Sequence, residues 1–131
     1  MSENKNLILK RWFAKAANDI KNIENNLKSE APPTDTICFH AQQAIEKYLK
    51  GALIYFEQDI SKTHDLVKLL TDTAPFLPEL SAFEDNLEKI SEFAVETRYP
   101  DAFYEPTSEE AKNAYEIALK VRDIVLIKVK I

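Results

Sequence analysis

Two histidines and one arginine are the side chains of this sequence best suited to chemistry. His40 and His64 are the only imidazoles in 131 residues, and Arg98 begins the aromatic segment that runs to Tyr104. An imidazole titrates near neutral pH and can transfer protons. A guanidinium binds a phosphate through two parallel hydrogen bonds. Arg98 is therefore a candidate anchor for a phosphate.

The segment after Arg98 has two interpretations. Tyr99, Phe103 and Tyr104 could stack on a nucleotide base, as aromatic side chains do in single-stranded nucleic-acid sites. Tyrosine and arginine are also enriched in protein interfaces, so the same residues suit a dimer contact. Arg98 itself could simply be a cation at a helix C-terminus, paired with Asp101. These alternatives remain open at the level of the sequence.

A second group of candidates lies in the longest helical segment. Gln43 and Lys47 follow His40 by three and seven positions, so the three share a helical face that could form a polar pocket. We expect His40 to be a hydrogen-bonded histidine between helices. His64 stands where a helix is predicted to begin, which favours a surface or capping role.

Other kinds of site have little support in this sequence. Two histidines and one cysteine offer no chelating spacing, so no metal or other cofactor is expected. Gly51 is the only glycine, which rules out a glycine-rich phosphate loop. The net charge of −5 argues against sequence-blind binding to nucleic-acid phosphates, so no DNA partner is expected, although a local basic site remains open. With Cys38 alone, no disulfide can form within the chain, and we expect a reducing, cytoplasmic setting.

The N-terminal segment is not predicted to be a signal peptide, and no apolar run is long enough to span a bilayer, so no membrane contact is expected. Three pairs of prolines divide the chain into helical segments. The five predicted helices are about Asn4–Ser29, Thr34 or Asp35 to Gln58, His64–Thr73, Ser81–Arg98 and Thr107–Ile131. Residues 125–131 also alternate as a strand would, but a lone strand has no partner, so we expect a helix there.

Helix starts and packing faces can be predicted from residue type. Thr34 or Asp35, and then Thr63, are expected N-caps, while Ser81 and Thr107 each open a capping-box pattern. The second helix carries two apolar stripes, so it should have neighbours on two sides. Gly51 within it could permit a close helix approach or simply be tolerated. The prediction is an all-α, up-and-down antiparallel bundle of four to five helices, formed by residues 1–131 as a single domain.

Three motifs, in this order, resemble the HEPN domain family. They are the run from His40 to Lys50, Thr63-His-Asp-Leu66, and Arg98-Tyr-Pro-Asp101. The spacing from Trp12 to Asp19 also fits. The resemblance implies a helical bundle, usually a homodimer. Many members are encoded beside a small nucleotidyltransferase, in toxin–antitoxin or related two-component modules.

The sequence departs from the pattern of the catalytic members of this family in one respect. Catalytic members are metal-independent ribonucleases with an arginine, four to six residues and then a histidine. After Arg98 those spacings lead to Phe103, Tyr104 and Glu105, and none is histidine. An unperturbed tyrosine, with a pKa of about 10, is a poor substitute for histidine at neutral pH. The Arg-Tyr-Pro-Asp form looks like a non-catalytic branch.

The leading hypothesis is a non-catalytic, dimeric HEPN domain protein that binds a partner nucleotidyltransferase and also a nucleotide. One alternative is a metal-independent ribonuclease toxin with an atypical active site. The other is a structural bundle with no ligand. The candidate nucleotide- or RNA-binding residues are Arg98, Tyr99, Asp101, Tyr104, His40, Gln43, Lys47 and His64.

Overall fold

The structure, a computed structural model, describes residues 2–98 and 105–131, with the backbone alone for residues 94–98. The helices are α1 (Glu3–Leu27), α2 (Thr34–Tyr55), α3 (Leu66–Thr73), α4 (Glu84–Arg98) and α5 (Ser108–Lys128), with a 3₁₀ helix at Pro78–Phe83. Strands are absent from these residues. The prediction of an all-α bundle is therefore confirmed.

Helix α2 is the centre of the bundle, because it packs against α1, α3, α4 and α5. Both predicted stripes are used, which explains why this helix is apolar on two sides. Helices α1 and α2 run antiparallel: Lys5 Nζ donates to the carbonyl of Tyr55, whereas Asp19 meets His40 near the other end. Along its length the bundle core is formed by Leu9, Ile23, Ile37, Ile45, Leu49, Leu53, Leu87 and Val121.

The single glycine lies where the Phe13 ring of α1 packs on α2. A Cβ atom at Gly51 would lie 2.5 Å from Cε1 of Phe13, which is closer than real contacts allow. The Phe13 ring also stacks on Tyr48, with ring centroids 5.8 Å apart. Gly51 is therefore the residue that makes room for the Phe13 ring, so side-chain packing gives the glycine a use at this position.

Helix starts follow the predicted capping chemistry in one case and depart from it in others. Thr107 caps α5 in a capping box with Glu110, as predicted. The Ser81 pattern forms no such box, because the 3₁₀ helix that begins at Pro78 already includes Ser81 and α4 begins at Glu84. Helix α3 is capped by Asp65, whose carboxylate accepts from Val67 and Lys68.

The cap of α3 corrects two predictions. Thr63 accepts instead from the backbone of Asp65, and His64 lies before the helix rather than in it.

Helix α2 begins at Thr34 after Pro33 and has no side-chain cap, so neither Thr34 nor Asp35 has the predicted role. Proline fixes the extended entry to the helix without a side-chain cap.

The last predicted helix is shorter than expected. Helix α5 ends at Lys128, and Val129 takes an extended conformation while its side chain remains buried. The helical prediction for residues 129–131 is therefore wrong. None of the helices in the part of the chain described has the length and apolarity needed to cross a bilayer.

Candidate functional site

Helix α2 carries two polar groups of side chains in an otherwise apolar environment. Gln42, Glu46 and Lys50 lie at successive i,i+4 positions and are only 2%, 6% and 7% exposed. His40 and Lys47 lie on the adjacent face, which meets α1. Burying a polar or charged group is costly unless it is paired, so each group must satisfy its members internally.

The first group, the Asp19 cluster, consists of Asp19, His40 and Lys47. Nδ1 of His40 lies 2.8 Å from Oδ1 of Asp19, and Nζ of Lys47 donates to Oδ2. Asp19 is 8% exposed, so its charge is compensated from α2 rather than by water. The prediction that His40 is a hydrogen-bonded histidine between helices agrees with this geometry. Its partner is a carboxylate on α1.

The second group, the Glu46 network, joins α2 to the segment before α3. Oε1 of Glu46 accepts from Gln42 at 3.1 Å and lies 2.9 Å from Nδ1 of His64. Oε2 accepts from Lys50 at 3.1 Å. The Gln42 amide also donates to the backbone carbonyl of His64 at 2.9 Å. The buried carboxylate thereby holds the connecting segment against the central helix.

The pKa of Glu46 reflects a competition between burial and hydrogen bonding. Burial acts to raise the pKa of this carboxyl, but the hydrogen bonds from His64 and from the neighbouring amide and ammonium outweigh burial. The pKa therefore lies below its ordinary value. An ionised carboxylate can only accept hydrogen bonds, so Nδ1 of His64 carries the proton and donates.

Gln43 belongs to the Glu46 network rather than to the Asp19 cluster. Its amide nitrogen donates to Oε1 of Gln42 at 2.7 Å. The predicted polar face of His40, Gln43 and Lys47 is therefore divided between two groups. His40 and Lys47 share Asp19, whereas Gln43 contacts the side chain that reaches Glu46 and His64.

A groove on the surface of α1 adjoins the Asp19 cluster. It has a volume of about 350 Å³ and is lined by Ile8, Arg11, Trp12, Lys15 and Lys47. The four α1 residues follow i, i+3, i+4 and i+7 spacing, so they share one helical face. We call it the Trp12 groove. Lys47 belongs to both features, since it lines the groove and donates to Asp19.

The predicted site at the end of α4 lies outside the side chains that the structure describes. Helix α4 reaches Arg98, as predicted, but the structure describes no side chain there. Tyr99, Asp101 and Tyr104 lie outside the described residues. Of the candidate residues, the structure thus brings His40 and Lys47 together on one carboxylate, and it links Gln43 to His64 through Gln42.

Two carboxylates that organise these groups were not singled out from the sequence as functional. Asp19 lies three positions after Ala16 and four before Ile23, within the buried stripe of α1, and a charge at such a position is a recognisable signal. Glu46 lies four positions before Lys50, and this spacing indicates only an ion pair within α2. Its contact with His64 spans 18 residues, so no helical spacing could reveal it.

The chemistry available at these groups is proton transfer and anion binding. In both carboxylate–imidazole pairs the contact is made through Nδ1, which leaves Nε2 as the other ring nitrogen. The His64 side chain is 64% exposed and that of His40 is 22% exposed. Within the described residues, no three His, Cys, Asp or Glu side chains are grouped so that they could hold a metal ion.

Comparison with known proteins identifies a matching family model. The family model described as "HEPN domain" matches residues 9–128, which include both polar groups and the Trp12 groove except Ile8. No curated protein and no solved structure matched the chain. The match covers nearly the whole sequence.

Proposed function

Because the chain belongs to the HEPN domain family, we propose that it is a non-catalytic member that binds a nucleotide and a partner protein. The observation that carries this proposal is the absence of histidine at the fifth, sixth and seventh positions after Arg98. A ribonuclease that works without a metal needs a group that exchanges protons near neutral pH. Of the side chains that stand there instead, phenylalanine has no titratable group, and a tyrosine would need a large pKa shift.

The positions of the two histidines support a non-catalytic role. Each imidazole is bound to a carboxylate, His40 to Asp19 and His64 to Glu46. Each pair joins α2 to a different part of the chain. These structural contacts account for both histidines without a catalytic role. Hydrogen bonding to a buried or half-buried carboxylate is a common structural role of histidine.

The partner in this proposal is a small nucleotidyltransferase, in a two-component module of the toxin–antitoxin type, and the protein itself is a homodimer. Apolar side chains exposed near the start of α1 and the end of α5 support a protein contact. Helices α1 and α5 run antiparallel, since Glu24 near the end of α1 contacts Tyr115 in the first half of α5. The exposed apolar side chains therefore lie at the same end of the bundle. They are Leu7, Ile8, Leu126, Ile127 and Ile131.

The test combines an RNA-cleavage assay with ligand and partner binding. Purified protein at high concentration, without metal, should leave RNA intact, and a nucleotide panel should raise the melting temperature, because a ligand of the folded state stabilises it. Light scattering at tens of micromolar should give a dimer, and the native protein should co-purify with its nucleotidyltransferase. RNA cleavage that is lost in Arg98→Ala would overturn the proposal.

A ribonuclease with an atypical site is the second candidate. The observation that favours it is the pair of carboxylate-held imidazoles, because a carboxylate on one ring nitrogen orients the other for proton transfer. His40 or His64 would then act with Arg98, and with Asp101 or Tyr104. This candidate requires that cleavage falls in His40→Ala or His64→Ala as well as in Arg98→Ala, with each variant folded by circular dichroism.

A further inference from the structure

The Trp12 groove concentrates positive charge on an acidic protein. The chain has a net charge of −5, yet Arg11, Lys15 and Lys47 line one groove, and none of the described residues that line it is acidic. Lys47 shares its charge with Asp19. Arg11 and Lys15 form no ion pair with any residue whose side chain the structure describes. The groove therefore holds cationic charge that an anion could neutralise.

The arrangement of these cations is partly fixed in advance. Nζ of Lys47 is held by the buried carboxylate of Asp19, so the side chain cannot move freely away from the groove. A cation that is already ordered loses less entropy when it binds a ligand. Arg11 adds a planar guanidinium, which suits the two oxygens of a phosphate better than an ammonium does.

The remaining described lining is apolar. Trp12 is half-buried and contributes its indole, and Ile8 lies beside it. An aromatic face stacks with a nucleobase whatever the base. A volume of about 350 Å³ lies at the lower end of the range typical of small-molecule sites. The groove thus suits a small ligand with one flat ring and one strongly anionic group.

We propose that the Trp12 groove binds a mononucleotide, with its phosphate on Arg11, Lys15 and Lys47 and its base on the indole of Trp12. This inference rests on the proposed function, because it names a site and a ligand class for the nucleotide. The residues that define this site lie on α1 and α2. The phosphate supplies the charge and the base supplies the ring, so neither half of the ligand should bind well alone.

Trp12 makes the test direct, because it is the only tryptophan in the chain. Its fluorescence is recorded during titration with AMP, adenosine or ribose 5-phosphate. We expect AMP to change the emission in a saturable way and to bind at least about tenfold more tightly than adenosine, which lacks the charged contacts. Ribose 5-phosphate, which lacks the base, should also bind at least about tenfold more weakly than AMP.

Variants then assign the contacts. Lys15→Glu and Arg11→Ala change exposed side chains and should fold, and each should weaken AMP binding at least about tenfold by calorimetry. Lys112→Ala is the matched control, since Lys112 lines a separate groove on α5 with Glu109 and Glu116. Its affinity for AMP should stay within about twofold of the parent.

The outcomes separate the two proposals. If AMP raises the melting temperature equally in the parent and in Lys15→Glu and leaves Trp12 emission unchanged, the nucleotide binds elsewhere, so the groove proposal is overturned and the proposed function stands. If no nucleotide changes the melting temperature or the emission, nucleotide binding itself is refuted. Binding of an RNA oligonucleotide to the groove without any binding of AMP would also overturn the inference.

Discussion

Nδ1 of His64 lies 2.9 Å from Oε1 of Glu46, so an exposed imidazole holds a buried carboxylate. His64 precedes α3, and Glu46 lies in the middle of α2. The Glu46 side chain is 7% exposed and its second oxygen pairs with Lys50, whose side chain is 9% exposed. The connection between α2 and α3 therefore covers the charged Glu46 carboxylate. The free energy of unfolding of the protein should depend on the ionisation of this carboxylate.

Glu46→Gln should reduce the acid sensitivity of the protein. The folded-state pKa of Glu46 lies below the ordinary value of 4.5, so the carboxylate stabilises the folded protein above pH 4.5. That stabilisation is lost as the pH falls through 4.5 toward the lower folded-state pKa. We expect the free energy of unfolding of the parent, from urea titrations at pH 6, 5, 4 and 3, to fall more steeply than that of the variant.

At pH 7 the same variant should be less stable than the parent by about 3 kcal/mol, because Lys50 is left buried without its counter-charge. Glu57→Gln is the control, since the Glu57 side chain is 82% exposed. It should change stability by less than about 0.5 kcal/mol at pH 7. Equal acid slopes for the parent and Glu46→Gln would show that Glu46 does not contribute to the pH dependence.

Asp19→Asn should destabilise the contact between α1 and α2. The amide keeps the shape of the carboxylate but carries no charge, so Lys47 loses its counter-charge. Its NH₂ group can only donate, so Nδ1 of His40 must become the acceptor if that group faces it. We expect a loss of about 2–3 kcal/mol in the free energy of unfolding, measured with urea at pH 7. Asp59→Asn, at an exposed position, should have almost no effect. A loss as small as that of the control would mean that Asp19 is not the residue that joins the two helices.

Gly51→Ala should destabilise the protein although alanine is the better helix former. Alanine gains about 1 kcal/mol in a helix interior. Its Cβ, however, would meet the Phe13 ring at 2.5 Å, and overpacking of this kind costs about 1–3 kcal/mol. The expected net loss is about 1 kcal/mol by thermal or urea unfolding. In a Phe13→Leu background the same change should become neutral or stabilising, and additive effects of the two substitutions would contradict the contact.

Glu57→Gly should stabilise the end of α2. Glu57 has φ of 59°, in the left-handed region that favours glycine. The N–H groups of Gln58 and Glu57 donate to the carbonyls of Leu53 and Ile54, which is the Schellman pattern. We expect a gain of about 0.5–1 kcal/mol, because the ion pair of Glu57 with Lys5 is exposed on the glutamate side and contributes little. Glu57→Ala, which keeps the strain and also removes the ion pair, should not stabilise.

Local chemistry determined most of the fold in advance. Apolar residues at three- and four-residue spacing define the buried faces of α1 and α2, and Thr107 with Glu110 defines the start of α5. These features depend on neighbours within one helical turn, so the sequence alone was sufficient to predict them. Caps were less predictable at Thr63 and Ser81, because nearby Asp65 and Pro78 offered competing starts.

Tertiary structure alone decided which polar side chains meet. The spacing places His40, Gln43 and Lys47 on one helical face. In the structure His40 and Lys47 bind Asp19, whereas Gln43 belongs to the Glu46 network. The choice depends on the axial register of α1 against α2, where the Phe13 ring sits on Gly51. That register also brings Lys47 to the Trp12 groove. The register is set by side-chain packing between the two helices, so the pattern of either helix alone could not predict it.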